Sequence, residues 1–182
     1  MNNTQDKAAK RKDIYEWIEC VIAALIACIL VFVFFVRIVD VSGDSMNNTL
    51  FDRDKMVVSK LFYTPKQGDI IVFEKASYKK DALVKRVIAV EGQTVDIDFE
   101  KGIVYVDDVA LDEPYIKEPT YNRLEFNGKQ TVPEGCIFVM GDNRNESSDS
   151  RRATIGMVDT RMVIGKVYFT AFPFNHIGSP YK

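Results

Sequence analysis

Three stretches of the chain set reactive side chains into turn-forming or strand-forming sequence. The first is Val41-Ser42-Gly43-Asp44-Ser45-Met46-Asn47-Asn48-Thr49-Leu50. Small and polar residues of this kind favour a tight turn, from which a serine hydroxyl projects and in which backbone N–H groups face a developing oxyanion. Taken alone, a serine in a Gly-Asp turn is more often just a turn residue. The second is Ala82-Leu83-Val84-Lys85-Arg86-Val87-Ile88-Ala89-Val90. Alternate residues of a strand share a face, so Leu83, Lys85, Val87 and Ala89 point one way and Val84, Arg86 and Ile88 the other. Lys85 among apolar neighbours either keeps its head in water or is desolvated, with its pKa pushed down. The third runs Gly141-Asp142-Asn143-Arg144-Asn145-Glu146-Ser147-Ser148-Asp149-Ser150-Arg151-Arg152, after the strand-like Cys136–Met140. Its donors and acceptors suit a loop held by internal hydrogen bonds and ion pairs, or an ordinary polar surface loop.

Other chemistries are excluded by composition. The chain of 182 residues has one histidine, His176, and 3 cysteines, Cys20, Cys28 and Cys136. A multi-histidine metal site and a disulfide framework are therefore ruled out, no Cys-x-x-Cys knuckle is present, and no metal is expected. The formal net charge of −2 gives no reason to expect nucleic acid as a partner. Apolar residues at 47% and charged residues at 27% describe one globular domain with an appendage.

The elements that must position these stretches fall into two kinds. Cys20–Val36 reads CVIAALIACILVFVFFV, seventeen uncharged residues. As a helix this run is about 25 Å long, near the lower limit for crossing a bilayer; Ile38 and Val39 extend it if Arg37 snorkels to the interface. Tyr15 and Trp17 stand at its start, as interfacial rings do. Lys7, Lys10, Arg11 and Lys12 precede it and only Arg37 follows closely, which puts the N-terminus in the cytoplasm. The expected organisation is a cytoplasmic segment over 1–17, a transmembrane anchor over 18–39 and an extracytoplasmic domain over 40–182. A cleaved signal peptide fits less well, because the run is too long and no Ala-x-Ala follows Val36.

Beyond Val39 the pattern changes to short β-branched and aromatic runs: Met56–Ser59, Ile70–Phe73, Leu83–Val90, Thr94–Ile97, Ile103–Val106, Ile137–Met140 and Met162–Phe169. Turn residues separate them, as at Pro65–Asp69 and Pro133–Gly135. The expected fold is mostly β, an antiparallel sheet with a small insertion at about 100–135, where the chain is more polar. Met46 and the aromatics Phe51, Phe62 and Tyr63 are read mostly as core, with lipid or an apolar substrate segment as the alternative.

In this order, behind one apolar segment, the three stretches resemble the boxes of the bacterial type I signal peptidases. Ser42-Gly43-Asp44-Ser45-Met46 with Thr49-Leu50 is similar to the nucleophile box, Gly68–Phe73 to a strand motif, Lys85-Arg86-Val87-Ile88 with Glu91-Gly92 to the general-base box, and Gly141–Arg144 through Ser147, Asp149 and Arg151 to the final box. The resemblance implies the signal-peptidase fold and a membrane-bound serine endopeptidase. It assigns Ser45 as nucleophile and Lys85 as general base, with no cofactor. An ordinary lysine is neutral only about 0.04% of the time at pH 7, so Lys85 must be desolvated to do this. Ser147 would orient the Lys85 amine by a hydrogen bond, the Ser45 N–H would serve the oxyanion, and Arg86, Asp142, Asp149 and Arg151 would pair to hold the loop. Gly43 stands where Gram-negative relatives carry a serine at the oxyanion hole, which passes that job to a backbone N–H. Asn48 stands where proline is usual. The single anchor and compact insertion look more like Gram-positive members. Expected partners are secretory preproteins and the lipid bilayer, the expected state a monomer on the cell membrane. A peptidase dedicated to one export or pilus partner, and a silent peptide-binding domain, are the competing readings.

Overall fold

The computed structural model describes residues 2–75 and 78–181. The chain divides into two units, Met1–Val36 and Arg37–Lys182. The first is one helix, α1 (Asn2–Phe35). Every side chain described from Ile14 to Leu30 is exposed. Among the described residues no helix is long and apolar enough to cross a membrane. The side chains of Val31–Phe34, inside the expected apolar span, and of Lys7, Lys10, Arg11 and Lys12, which set the expected orientation, lie outside those described. The helix stops at Phe35, and Ile38 and Val39 do not extend it. They belong to strand β1 (Arg37–Asp40), paired with Val57 and Met56. Two β-branched residues beside a long apolar run look like more of the run, yet here their backbone is used in a sheet.

The second unit is built of antiparallel β-structure. The remaining strands are β2 (Lys55–Ser59), β3 (Ile70–Lys75), β4 (Lys79–Val90), β5 (Thr94–Asp98), β6 (Ile103–Val106), β7 (Val109–Ala110), β8 (Gln130–Thr131), β9 (Cys136–Met140), β10 (Val158–Asp159) and β11 (Val163–Phe172). They form a main sheet in the order β1-β2-β11-β3-β4-β9-β10 and a small sheet in the order β7-β6-β5-β8. The small sheet starts at Thr94, ahead of the polar stretch expected to be inserted, because Val95 and Ile97 alternate inward along β5. Met162, expected to open the last strand, instead ends a 3-10 turn (Thr160–Met162) ahead of β11.

Burial on two faces explains the central strands. Ile70, Ile71, Val72 and Phe73 of β3 are each fully buried. Alternation sends Ile70 and Val72 to a cluster with Met46, Leu50, Met56 and Val167, and Ile71 and Phe73 to one with Val87, Val139 and Val163. In β4 the expected alternation holds only as far as Val87. A register shift between Val87 and Ala89 against β9 places both Ile88 and Ala89 in the cluster that faces the small sheet. Near the end of the described chain, the Tyr181 hydroxyl donates to the Val167 carbonyl at 2.7 Å and accepts the Ile70 N–H at 3.0 Å, tying β11 to β3. Of the residues read as core, Met46 is buried and Tyr63 packs against the Ile71 cluster, whereas Phe62 is 99% exposed and Phe51 sits at the surface.

Candidate active site

The turn between β1 and β2 carries Ser45. Met46 and Leu50, both buried beneath it, fasten the turn to the sheet. Within the turn, Asn47 N–H donates to Asp44 O at 3.1 Å, and Thr49 and Leu50 N–H to Met46 O at 2.8 and 2.9 Å. Gly43 has φ +89°, a conformation costly for any residue with a Cβ, and its N–H donates to Asp52 Oδ1 at 2.9 Å. That N–H is thus committed to a carboxylate and is not the spare oxyanion donor that the sequence reading left to the backbone.

Strand β4 brings Lys85 to Ser45. The Lys85 ammonium donates to Ser45 Oγ at 2.6 Å and to Val84 O at 2.8 Å. Only 3% of the residue is exposed. Burial, helped by the nearby Arg151 charge, lowers its pKa from the ordinary lysine value to about 8, although Asp149 and Asp142 pull the other way. About a tenth of such amines are neutral at pH 7, against about 0.04% of ordinary ones. A cleft of about 360 Å³ opens beside the pair, lined by Val39, Ser42, Met46, Leu83 and Val84 among others.

The loop after β9 closes the site from the other side. Its ion pairs are buried and bidentate: Arg86 Nε and Nη2 donate to Asp142 at 2.9 and 2.7 Å, and Arg151 Nε and Nη2 to Asp149 at 2.8 Å each. Burial alone would raise the Asp149 carboxyl. Arg151 and the Gly141 N–H outweigh it and hold that carboxyl below the usual range. Thr49 Oγ1 also donates to Asp142, so one carboxylate joins the Ser45 turn to the strand of Lys85. The expected bond from Ser147 to the Lys85 amine is not formed: that amine is engaged with Ser45 and Val84. Ser147 is buried, and its Oγ has no hydrogen-bond partner among the described residues, though the hydroxyl lies close enough to Asp149 to favour its charged form. Ser147 nonetheless abuts the nucleophile residue. A Cβ added to Gly141 would lie 2.3 Å from Ser147 Oγ and 2.4 Å from Ser45 O. Gly141→Ala is therefore expected to push the Ser45 turn away from Lys85 and lower kcat by about 100-fold, the order found when reacting groups are displaced by about 1 Å; unchanged single-turnover rates would refute this.

Four contributors escaped the sequence reading. Asn143 donates its N–H to Ser45 O at 3.1 Å and its side-chain amide to Asp44 O at 3.0 Å, clasping the nucleophile turn from across the site. Arg144, fully buried, donates to both Glu113 oxygens and to Gly141 O. The Arg86 guanidinium lies 3.9 Å above the centre of the Tyr115 ring. Asn143 and Arg144 lie in a motif whose polar density was noted. Glu113 and Tyr115 come from an irregular segment with no periodicity to single them out. His176 stands apart from the dyad, paired with Asp54 at 3.2 Å.

A serine hydroxyl bonded to a buried lysine amine is the arrangement of a Ser/Lys hydrolase. The chain belongs to the signal peptidase family, peptidase S26, whose profile matches residues 14–172. It is similar to signal peptidase I of Bacillus licheniformis, 35% identical over 96% of this chain and 97% of that protein. The probable signal peptidase I-1 of Synechocystis sp. is 38% identical, over 91% of this chain and 86% of its own length. Signal peptidase IB of Staphylococcus aureus is 32% identical over 91% and 93%. A crystal structure of a signal peptidase I from Enterococcus faecalis V583 superposes with a TM-score of 0.47 at 30% identity, covering 57% of this chain and 97% of that one. The chain is thus a serine endopeptidase that removes signal peptides from preproteins.

Proposed function

We propose that Ser45 is the nucleophile and Lys85 the general base of this cleavage. The 2.6 Å contact between Ser45 Oγ and a buried Lys85 Nζ carries the reading. In the neutral form, Nζ takes the hydroxyl proton as Oγ attacks the scissile carbonyl carbon. The resulting ammonium returns that proton to the leaving amine as the C–N bond breaks. A water then attacks the acyl carbon, giving up a proton to Lys85 Nζ, which passes it to Ser45 Oγ as the ester C–O bond breaks and the signal peptide leaves with a new carboxyl end. The Ser45 N–H serves the oxyanion, Ser147 packs beside Gly141 and the Ser45 carbonyl, and Arg86, Asp142, Asp149 and Arg151 hold the loop. An extended substrate lies between residues 39–42 and 81–84, held by main-chain hydrogen bonds, with small side chains before the cut facing the shallow cleft.

On the same reading α1 anchors the enzyme in the cell membrane with its N-terminus in the cytoplasm and the β-domain on the outer face. The exposed apolar side chains of Ile14–Leu30 and the basic residues Lys7, Lys10, Arg11 and Lys12 ahead of them support this. The substrates are exported preproteins in general, and the enzyme acts as a monomer without a cofactor. The test is incubation of the full-length protein, in lipid, with several unrelated precursors carrying Ala-x-Ala sites. Cutting after the second Ala of each, abolished by Ser45→Ala, is the expected result. Cutting that survives Ser45→Ala would overturn the assignment, and cutting of a single precursor would reduce the enzyme to a dedicated one.

A further inference from the structure

A second cavity, of about 440 Å³, borders the nucleophile turn on the side of Asn48 and Thr49. Its size falls in the range of ligand pockets. Phe51, Tyr115, His176 and Ile177 wall it. The aromatic wall is fixed in place. Phe51 and His176 rings lie 4.9 Å apart at 35°. The buried Asp54 carboxylate accepts the Phe51 N–H at 2.9 Å through one oxygen and contacts His176 Nδ1 at 3.2 Å through the other. Nothing in the mechanism above uses this cavity.

Its position relative to Ser45 says what occupies it. Two residues, Met46 and Asn47, separate Ser45 from Asn48, so their Cα atoms are at most about 11 Å apart, and the overlapping turns bring them closer. The part of a substrate before the cut lies in the cleft lined by 39–42 and 81–84. The second cavity shares no lining residue with that cleft and begins at Asn48 and Thr49, after Ser45 in the same turn, which suits the part beyond the cut. An extended chain advances about 3.3 Å per residue, so the second to about the fifth residue beyond the cut pass over it. Rigid aromatic rings with polar edges favour an aromatic guest, which packs offset or edge-on.

We propose that this cavity is a subsite for an aromatic side chain of the mature protein, a few residues beyond the cleavage point. The proposal rests on the assignment of Ser45 as nucleophile. Its test is a series of signal-peptide substrates, identical up to the cut, with Phe placed in turn at each of the second to fifth following positions in an otherwise Gly-Ser background. For the wild-type chain, Phe at one of these positions is expected to raise kcat/KM about tenfold over Gly, equivalent to about 1.4 kcal/mol. In Asn175→Trp, which fills the cavity, and in Ile177→Ser, which strips part of its wall, the Phe/Gly ratio falls towards one. Both changes are at exposed positions. Val109→Ser, on the small sheet, keeps the wild-type ratio. A flat wild-type profile, or a preference that persists in both cavity variants, would overturn the subsite while leaving the reaction intact. If Ser45→Ala cut the Gly series as fast as wild type, the assigned reaction itself would fall, and the subsite with it.

Discussion

Replacing Lys85 by Met is expected to abolish cleavage and at the same time stabilise the folded domain at neutral pH. If Lys85 is the base as proposed, its loss should cost at least about 10⁴-fold in kcat, as removal of one member of a catalytic pair does elsewhere. The gain in stability comes from the lysine's burial. Its pKa is about 8 in the folded protein, below the ordinary lysine value it has when unfolded. Between those two values the unfolded chain binds more protons than the native one, so the wild-type domain becomes more stable as pH rises through this window. Below about pH 8 both states are charged, and the native state carries the full penalty of about 3 kcal/mol. Methionine removes that penalty but also the bonds to Ser45 Oγ and Val84 O, each worth about 1 kcal/mol, which leaves a net gain of about 1 kcal/mol. Denaturant unfolding at two pH values checks both parts. Wild type should gain stability on going from neutral to alkaline pH relative to Lys85→Met. Parallel curves would mean that the amine is solvated. Activity should follow the same group, with kcat/KM rising through an apparent pKa of about 8.

Asp142→Ala should be the most damaging single change away from the reacting atoms. It would leave the Arg86 guanidinium, 3% exposed and pressed against Tyr115, without its counter-charge. Breaking one side of a buried pair typically costs about 3–5 kcal/mol. Thr49 would lose its acceptor in the same step, so the nucleophile turn and the Lys85 strand would no longer share a carboxylate. The domain should melt well below wild type, and the fraction still folded should turn over more slowly. The double variant Arg86→Met, Asp142→Ala is the diagnostic. Because it leaves no lone buried charge, it should be more stable than Asp142→Ala alone. If it is less stable, the pair acts by something other than charge compensation.

Much of this was visible in the residues themselves, for definite reasons. Strand β3 was legible because a run of four β-branched and aromatic residues bounded by turns has few other uses. Ser45 and Lys85 could be singled out only through the ordered boxes, since a serine in a turn is ordinary and a lysine in an apolar strand usually keeps its head in water. What stayed hidden depends on contacts between distant parts of the chain. The bulge after Val87 is set by the pairing of β4 with β9. Glu113 matters because Arg144, thirty-one residues later, needs a counter-charge once buried. Asn143 looks like any polar loop residue until its amide is found on the Asp44 carbonyl. Ile38 and Val39 could not be assigned by hydropathy, since a membrane and a sheet ask for the same side chains. The Ser147 bond expected from resemblance is not formed: the lysine amine bonds Ser45 Oγ and Val84 O, and Ser147 Oγ is buried without a hydrogen-bond partner among the described residues.

The place of β11 has a consequence for when this enzyme is switched on. Ser45 lies between β1 and β2, and Lys85 on β4; within the main sheet these two groups of strands are joined through β11, which pairs with β2 on one side and β3 on the other. A ribosome makes Val163–Phe172 about eighty residues after Lys85. Until then the hairpin bearing Ser45 has no sheet neighbour on the β11 side to bring it to Lys85, and long-range pairings of this kind form late. A nascent chain therefore lacks the sheet that sets Ser45 beside Lys85 until β11 is made, and cleavage is expected to wait for that strand.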